Sequence, residues 1–212
     1  ATVWRILTLG LPTLVQMGSL SVVLVVMNGL LAPRAGTVGV AAFGYVSRLA
    51  EFALAPFSAL CLAAAPIIGS NGAGLHSRVR QTVVRTVQLG LVYAVVAVAV
   101  CYALSGALLG IFTRDPAIVQ FGTHCLRRLA PALLFLPPVL TVSAYFQSVN
   151  RAKSALVTAG ALPLCLCVGA CLAAPLGTGA VWWAVPIAAA VCAVFCGALY
   201  IRQAGERKRR AL

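Results

Sequence analysis

Two charged side chains lie inside an apolar stretch where charge is costly: Arg48 and Glu51 in "VAAFGYVSRLAEFALAPFSALCLAAAPIIG". A spacing of three puts them on one helical face, within reach of each other. If the helix begins near Val38, they lie roughly 15 and 20 Å along it, close to mid-bilayer depth. Charges at that depth face a bundle interior or a water-filled cavity. Two chemistries fit: a self-neutralising pair that fixes helix packing, or a carboxylate at Glu51 that exchanges a proton or a cation. Glu51 is the only acid within any long apolar run, so carboxylate chemistry in the membrane falls to it.

The uncharged polar candidates are Gln16 and Asn28 in the first apolar run and Gln147, with Asn150, at the end of a later one. Such groups line a substrate path or hydrogen-bond between helices. "PIIGSNGAGLHSRVR" has the glycines of a phosphate loop, but no Lys-Ser/Thr follows them and no Rossmann triplet follows a strand. Seven of the eight cysteines lie in apolar runs as small packing residues, and no His or carboxylate joins Cys167 and Cys171 to make a metal site. His124, Arg127 and Arg128 share a face and read as solvated vestibule charge, with Asp115 opening that segment before Pro116; His76 lies in a basic loop. No serine elbow, paired carboxylates or histidine–acid cluster points to an enzyme.

The elements that carry these residues are set by composition. The 212 residues are 62% hydrophobic and 9% charged, with a mean hydropathy of +1.02, against about 25% charge in a soluble domain. The chain is an all-α membrane protein. A net charge of +13 without a basic, aromatic-rich face reads as membrane topology rather than nucleic-acid binding. Runs long enough to cross are Ile6 to Leu31, Val38 to Ile68, Thr86 to Phe112, Leu129 to Val149, Ala155 to Leu176 and Val181 to Ile201, which makes six transmembrane helices. Eleven basic residues (Arg5, Arg78, Arg80, Arg85, Arg151, Lys153, Arg202, Arg207 and Lys208 to Arg210) fall on one side. Four (Arg34, Arg114, Arg127, Arg128) fall on the other. This bias predicts a multi-pass protein of the plasma or inner membrane with both ends cytoplasmic. Residues 1–201 form the lobe and 202–212 a basic cytoplasmic tail. Gly69, Asn71 and Gly72 belong to the loop between helices two and three, and Gly106 and Gly110 offer a close-packing face on helix three.

Several stretches together resemble the multidrug and toxic compound extrusion (MATE) transporters. The second-helix stretch is similar to that family's pattern through Ala41, Ala42, Gly44, Arg48, Phe52, Pro56, Pro66, Gly69, Asn71, Gly72 and Ala73. "IFTRDPAIVQFGTHCLRRLAPALLF" resembles it through Phe112, Asp115, Pro116, Leu126, Arg127 and Pro131. "FQSVNRAKS" and "GTGAVWWAVPIA" follow in the family's order, the latter through Gly179, Trp182 and Pro186. The resemblance implies one six-helix lobe of a twelve-helix secondary transporter, with the missing six-helix lobe as partner. Such a transporter expels small organic, often cationic compounds against a sodium ion or proton as coupling ion, by alternating access and with no tightly bound cofactor. The basic tail and the absence of an initial Met favour the C-terminal lobe.

The chain also departs from the pattern. Asn28 stands where related repeats often carry Asp, and the fifth helix lacks an arginine near Thr158, which leaves the site of ion coupling open. Rival readings are a lipid-linked oligosaccharide flippase of the same architecture, for which a cavity richer in arginine is expected, and a non-transporting scaffold subunit, favoured if Arg48 and Glu51 are buried between helices.

Overall fold

The computed structural model describes the backbone of residues 2–71, 76–149 and 151–210, and side chains between 11 and 203 apart from 12, 13, 16, 17, 20, 72–76 and 150. Apolar sequence in lipid must satisfy its backbone groups within each segment, and the described residues form helices with no strand among them. In order these are α1 (Thr2–Asn71), α2 (His76–Ala103), α3 (Ser105–Gly110), α4 (Pro116–Leu129), α5 (Leu136–Ser148), α6 (Ala152–Ala173) and α7 (Thr178–Arg210).

The 70 residues of α1 would make a rod of about 105 Å, over three times the ~30 Å of a bilayer core. Gly36 breaks it, with φ 58° and ψ −157°, a backbone conformation essentially restricted to glycine. The turn is tight: a Cβ on Gly39 would lie 2.2 Å from that of Ala35. Met27 and Leu31 before the break share one buried cluster with Phe43 and Val46 after it. The arms 2–35 and 37–71 are therefore two passes. By length and apolarity, four continuous helices can cross a membrane, or five when a bent pair counts as one. With α1 supplying two, the lobe has the expected six.

The fourth pass differs from its expected bounds of Leu129 to Val149. It starts at Pro116, runs through α4, tightens into a 3-10 turn over Ala130–Leu134 and resumes as α5, with a 48° bend. Pro131, Pro137 and Pro138 each withhold a backbone donor, so an unbroken helix is not available there. Asp115 caps α4, its Oδ1 accepting from Ala117 N at 2.9 Å. In α4 the buried residues are Gly122, Cys125 and Leu126, an amphipathic pattern that a search for uniformly apolar runs passes over.

Glycine contacts also fall elsewhere than expected. Gly106 comes no closer than 4.0 Å to Thr123, and a side chain at Gly110 would meet nothing within 4 Å. Close approach occurs instead at Gly90, where a Cβ would lie 2.3 Å from the Phe57 ring and 3.0 Å from Pro137, and at Gly122 against Leu109. Gly69 and Asn71 are not loop residues: α1 continues to Asn71, whose Nδ2 donates to Ile67 O at 2.9 Å. Gly69 lies against the Ser148 carbonyl, and Gly72 lies outside the described residues. The backbone of α7 stays helical to Arg210, so no break sets off the basic tail.

Basic residues tie helices together at both ends of the bundle. At one end Arg151 donates to Gln203 (2.5 Å) and Gln203 donates to Ser154 (2.8 Å), tying α7 to the start of α6. At the other, Phe121 approaches Gly39, and Arg128 approaches Gly179. Arg127 Nε donates to Ser105 Oγ there at 3.1 Å.

Candidate functional site

Arg48 and Glu51 form the ion pair that the spacing allows: Nη1 donates to Oε2 at 2.8 Å. The side chains are 68% and 41% exposed, so the pair is not clamped between helices of this lobe. Phe52, one turn beyond Arg48, is 69% exposed on the same uncovered face. Charge at mid-span does not face lipid; the surface that bears it needs water or another protein body in front of it.

Neighbouring elements fix this turn of helix. Tyr93 on α2 donates its hydroxyl to the carbonyl of Ala53 at 2.8 Å. Pro56 lies three residues further on and removes the N–H that would otherwise close on the Phe52 carbonyl. The backbone just past Glu51 is thus short of one internal bond and is held from outside by a tyrosine. Sequence reasoning passed over Tyr93; its signal is a lone hydroxyl in an otherwise apolar run.

The remaining candidates do not converge on the pair through any described contact. Asn28 lies about 12 Å from the Gly36 break and Arg48 about 18 Å from it on the other arm, at ~1.5 Å per residue. The Asn28 Oδ1 is buried without a hydrogen-bond partner among the described residues. Gln147 donates to Ser143 Oγ within its own helix at 3.2 Å. Thr158, where an arginine was expected, is buried and returns its hydroxyl to Ser154 O and Ala155 O. Gln16 lies outside the residues whose side chains are described, as do Asn150 and His76. His124 and Arg127 are exposed, as solvated charge requires, and Arg127 also reaches Ser105 on α3; Arg128 is half-buried beside Gly179 on α7. Neighbours on a helix point about 100° apart, which lets one segment tie two others. No group of three or more His, Cys, Asp or Glu side chains able to hold a metal occurs among the described residues.

Six helical passes with a charged pair on an uncovered mid-span face define a polytopic α-helical membrane protein. The profile of the MatE family matches residues 12–172, and the chain belongs to that family. Multidrug export protein MepA of Staphylococcus aureus strain N315 is 25% identical over 196 residues, covering 90% of this chain and 42% of the relative; the protein of the same name from strain bovine RF122 / ET3-1 is 24% identical over the same span. A crystal structure of MATE in complex with MaL6 superposes with a TM-score of 0.91 at 19% identity, covering 97% of this chain and 47% of that one. An outward-facing multidrug resistance MATE family transporter of the MOP superfamily gives 0.91 at 20% identity, with 96% and 47% covered. An inward-facing one gives 0.88 at 19%, with 96% and 48%. The chain thus spans about half the length of the relatives it matches.

Proposed function

We propose that the chain is one six-helix lobe of a secondary multidrug antiporter. It works with a second such lobe to expel small organic, often cationic compounds across the plasma or inner membrane, with both of its ends cytoplasmic. The observation that carries this is the Arg48–Glu51 pair, its side chains 68% and 41% exposed on a face that no described side chain closes over. Against a second lobe, that face becomes the wall of a central hydrated path. Glu51 is then the carboxylate that exchanges the coupling sodium ion or proton, and Arg48 is its counter-charge. The family match, the half-length coverage of MepA and the likeness of this lobe to both outward- and inward-facing transporters support the reading. A lobe that keeps one shape in both states is what alternating access by whole-lobe movement requires.

The test is ethidium efflux from cells without their own pumps, expressing the chain together with its complementary lobe. Ion-driven efflux that falls at least tenfold in Glu51→Gln, with unchanged membrane expression, supports the role of Glu51. Unchanged efflux at every pH and sodium concentration removes it, and no efflux from the unmodified pair overturns the transport reading.

A further inference from the structure

The first three turns of α2 carry an open surface cavity of about 340 Å³ lined, among the described residues, by Ser77, Arg80, Gln81, Val84, Arg85 and Gln88, all of them exposed. At 100° per residue, Ser77, Gln81, Val84 and Gln88 fall in one stripe about 60° wide, and Arg80 and Arg85 lie about 70° to either side of its middle. The cavity is therefore a polar strip between two guanidinium groups.

Neither arginine has a carboxylate partner among the described residues. Of the two described acids, Glu51 is engaged with Arg48 and Asp115 caps α4 at the opposite end of the bundle. The same stripe continues down the helix as Leu91, Val92 and Val95, which are 39%, 66% and 58% exposed. Unlike the face bearing Arg48, this continuation holds only apolar side chains, a surface suited to lipid. One helix face thus runs from a pair of arginines without carboxylate partners among the described residues to open aliphatic surface over the next ~15 Å, about the depth of one leaflet.

We propose that this face is a binding site for an anionic glycerophospholipid, its phosphate held between Arg80 and Arg85 and its acyl chains lying along Leu91 to Val95. Gln81, Gln88 and Ser77 offer hydrogen bonds to the phosphate and glycerol oxygens. Guanidinium groups pair with phosphate through parallel N–H donors, and the positive charge selects anionic over zwitterionic headgroups. The site rests on membrane insertion alone and is independent of what the lobe transports.

The test is lipid retention by the full chain, released from nanodiscs of phosphatidylglycerol and phosphatidylcholine in equal parts and weighed by native mass spectrometry. The wild type is expected to retain phosphatidylglycerol preferentially. Preference should fall roughly five-fold for each arginine removed in Arg80→Gln and Arg85→Gln, and the double Lys variant should keep most of it. The charge-matched Arg34→Gln/Arg114→Gln pair, at the far end of the bundle, should leave it intact. Equal loss in that far-end pair, no loss in Arg80→Gln/Arg85→Gln, or displacement of the lipid by free glycerol phosphate at equal concentration would each overturn the proposal.

Discussion

The guanidinium of Arg48 and the carboxylate of Glu51 meet at 2.8 Å within a single helical turn, with most of the arginine side chain uncovered. Exposed pairs of this kind stabilise a fold by about 0–1 kcal/mol. Arg48→Gln and Glu51→Gln are therefore expected to unfold in detergent within a few degrees of wild type, while efflux by the assembled transporter falls at least tenfold in each. A large drop in melting temperature for either variant would mean that the pair serves packing.

Gly36 predicts a steep local cost. An alanine there must adopt φ 58° with a Cβ, which costs on the order of 1–3 kcal/mol. Gly29 is the control, since a Cβ there meets nothing within 4 Å and alanine favours the helix. Chemical unfolding in detergent should separate Gly36→Ala from Gly29→Ala by more than about 1 kcal/mol, with Gly29→Ala neutral or stabilising.

At Gly90 the added methyl would press into the buried Phe57 ring from one side and touch Pro137 on the other. Overpacking of that kind costs about 1–3 kcal/mol. Gly90→Ala should lower the melting temperature, and adding Phe57→Leu should return part of the loss. Additive losses in the double variant would show that the two positions do not compete for the same space.

Trp182 is 1% exposed and packs against Phe43 with ring centroids 5.9 Å apart and tilted by 53°, and its indole N–H has no partner among the described residues. Its contribution is packing. Trp182→Ala should cost about 3–5 kcal/mol, whereas Trp182→Phe, which keeps a ring and discards an unpaired donor, should cost less than half as much. Equal losses by thermal unfolding would place the value of Trp182 in its N–H.

The number of passes and their order were legible because a bilayer forces one long apolar run per crossing. The pairing of Arg48 with Glu51 was legible too, from helical spacing alone. Contact geometry was not. Gly106 and Gly110 match a packing pattern that depends on which face meets a neighbour, and the neighbour is met at Gly90 instead. Amphipathic α4 escaped because half of its surface is polar, and the helical ending of α1 through Gly69 escaped because glycine and asparagine read as loop when burial is unknown. Tyr93 acts through a carbonyl forty residues away, a relationship set by how two helices pack.

Placing both signs of charge on one turn has an electrical consequence. A shift of that helix along the membrane normal carries a dipole and no net charge through the transmembrane field, so the potential exerts no net force on it through this pair; each uncompensated charge would feel about 2.3 kcal/mol per 100 mV. Neutralising the Glu51 carboxylate alone should convert a silent movement into a measurable charge displacement.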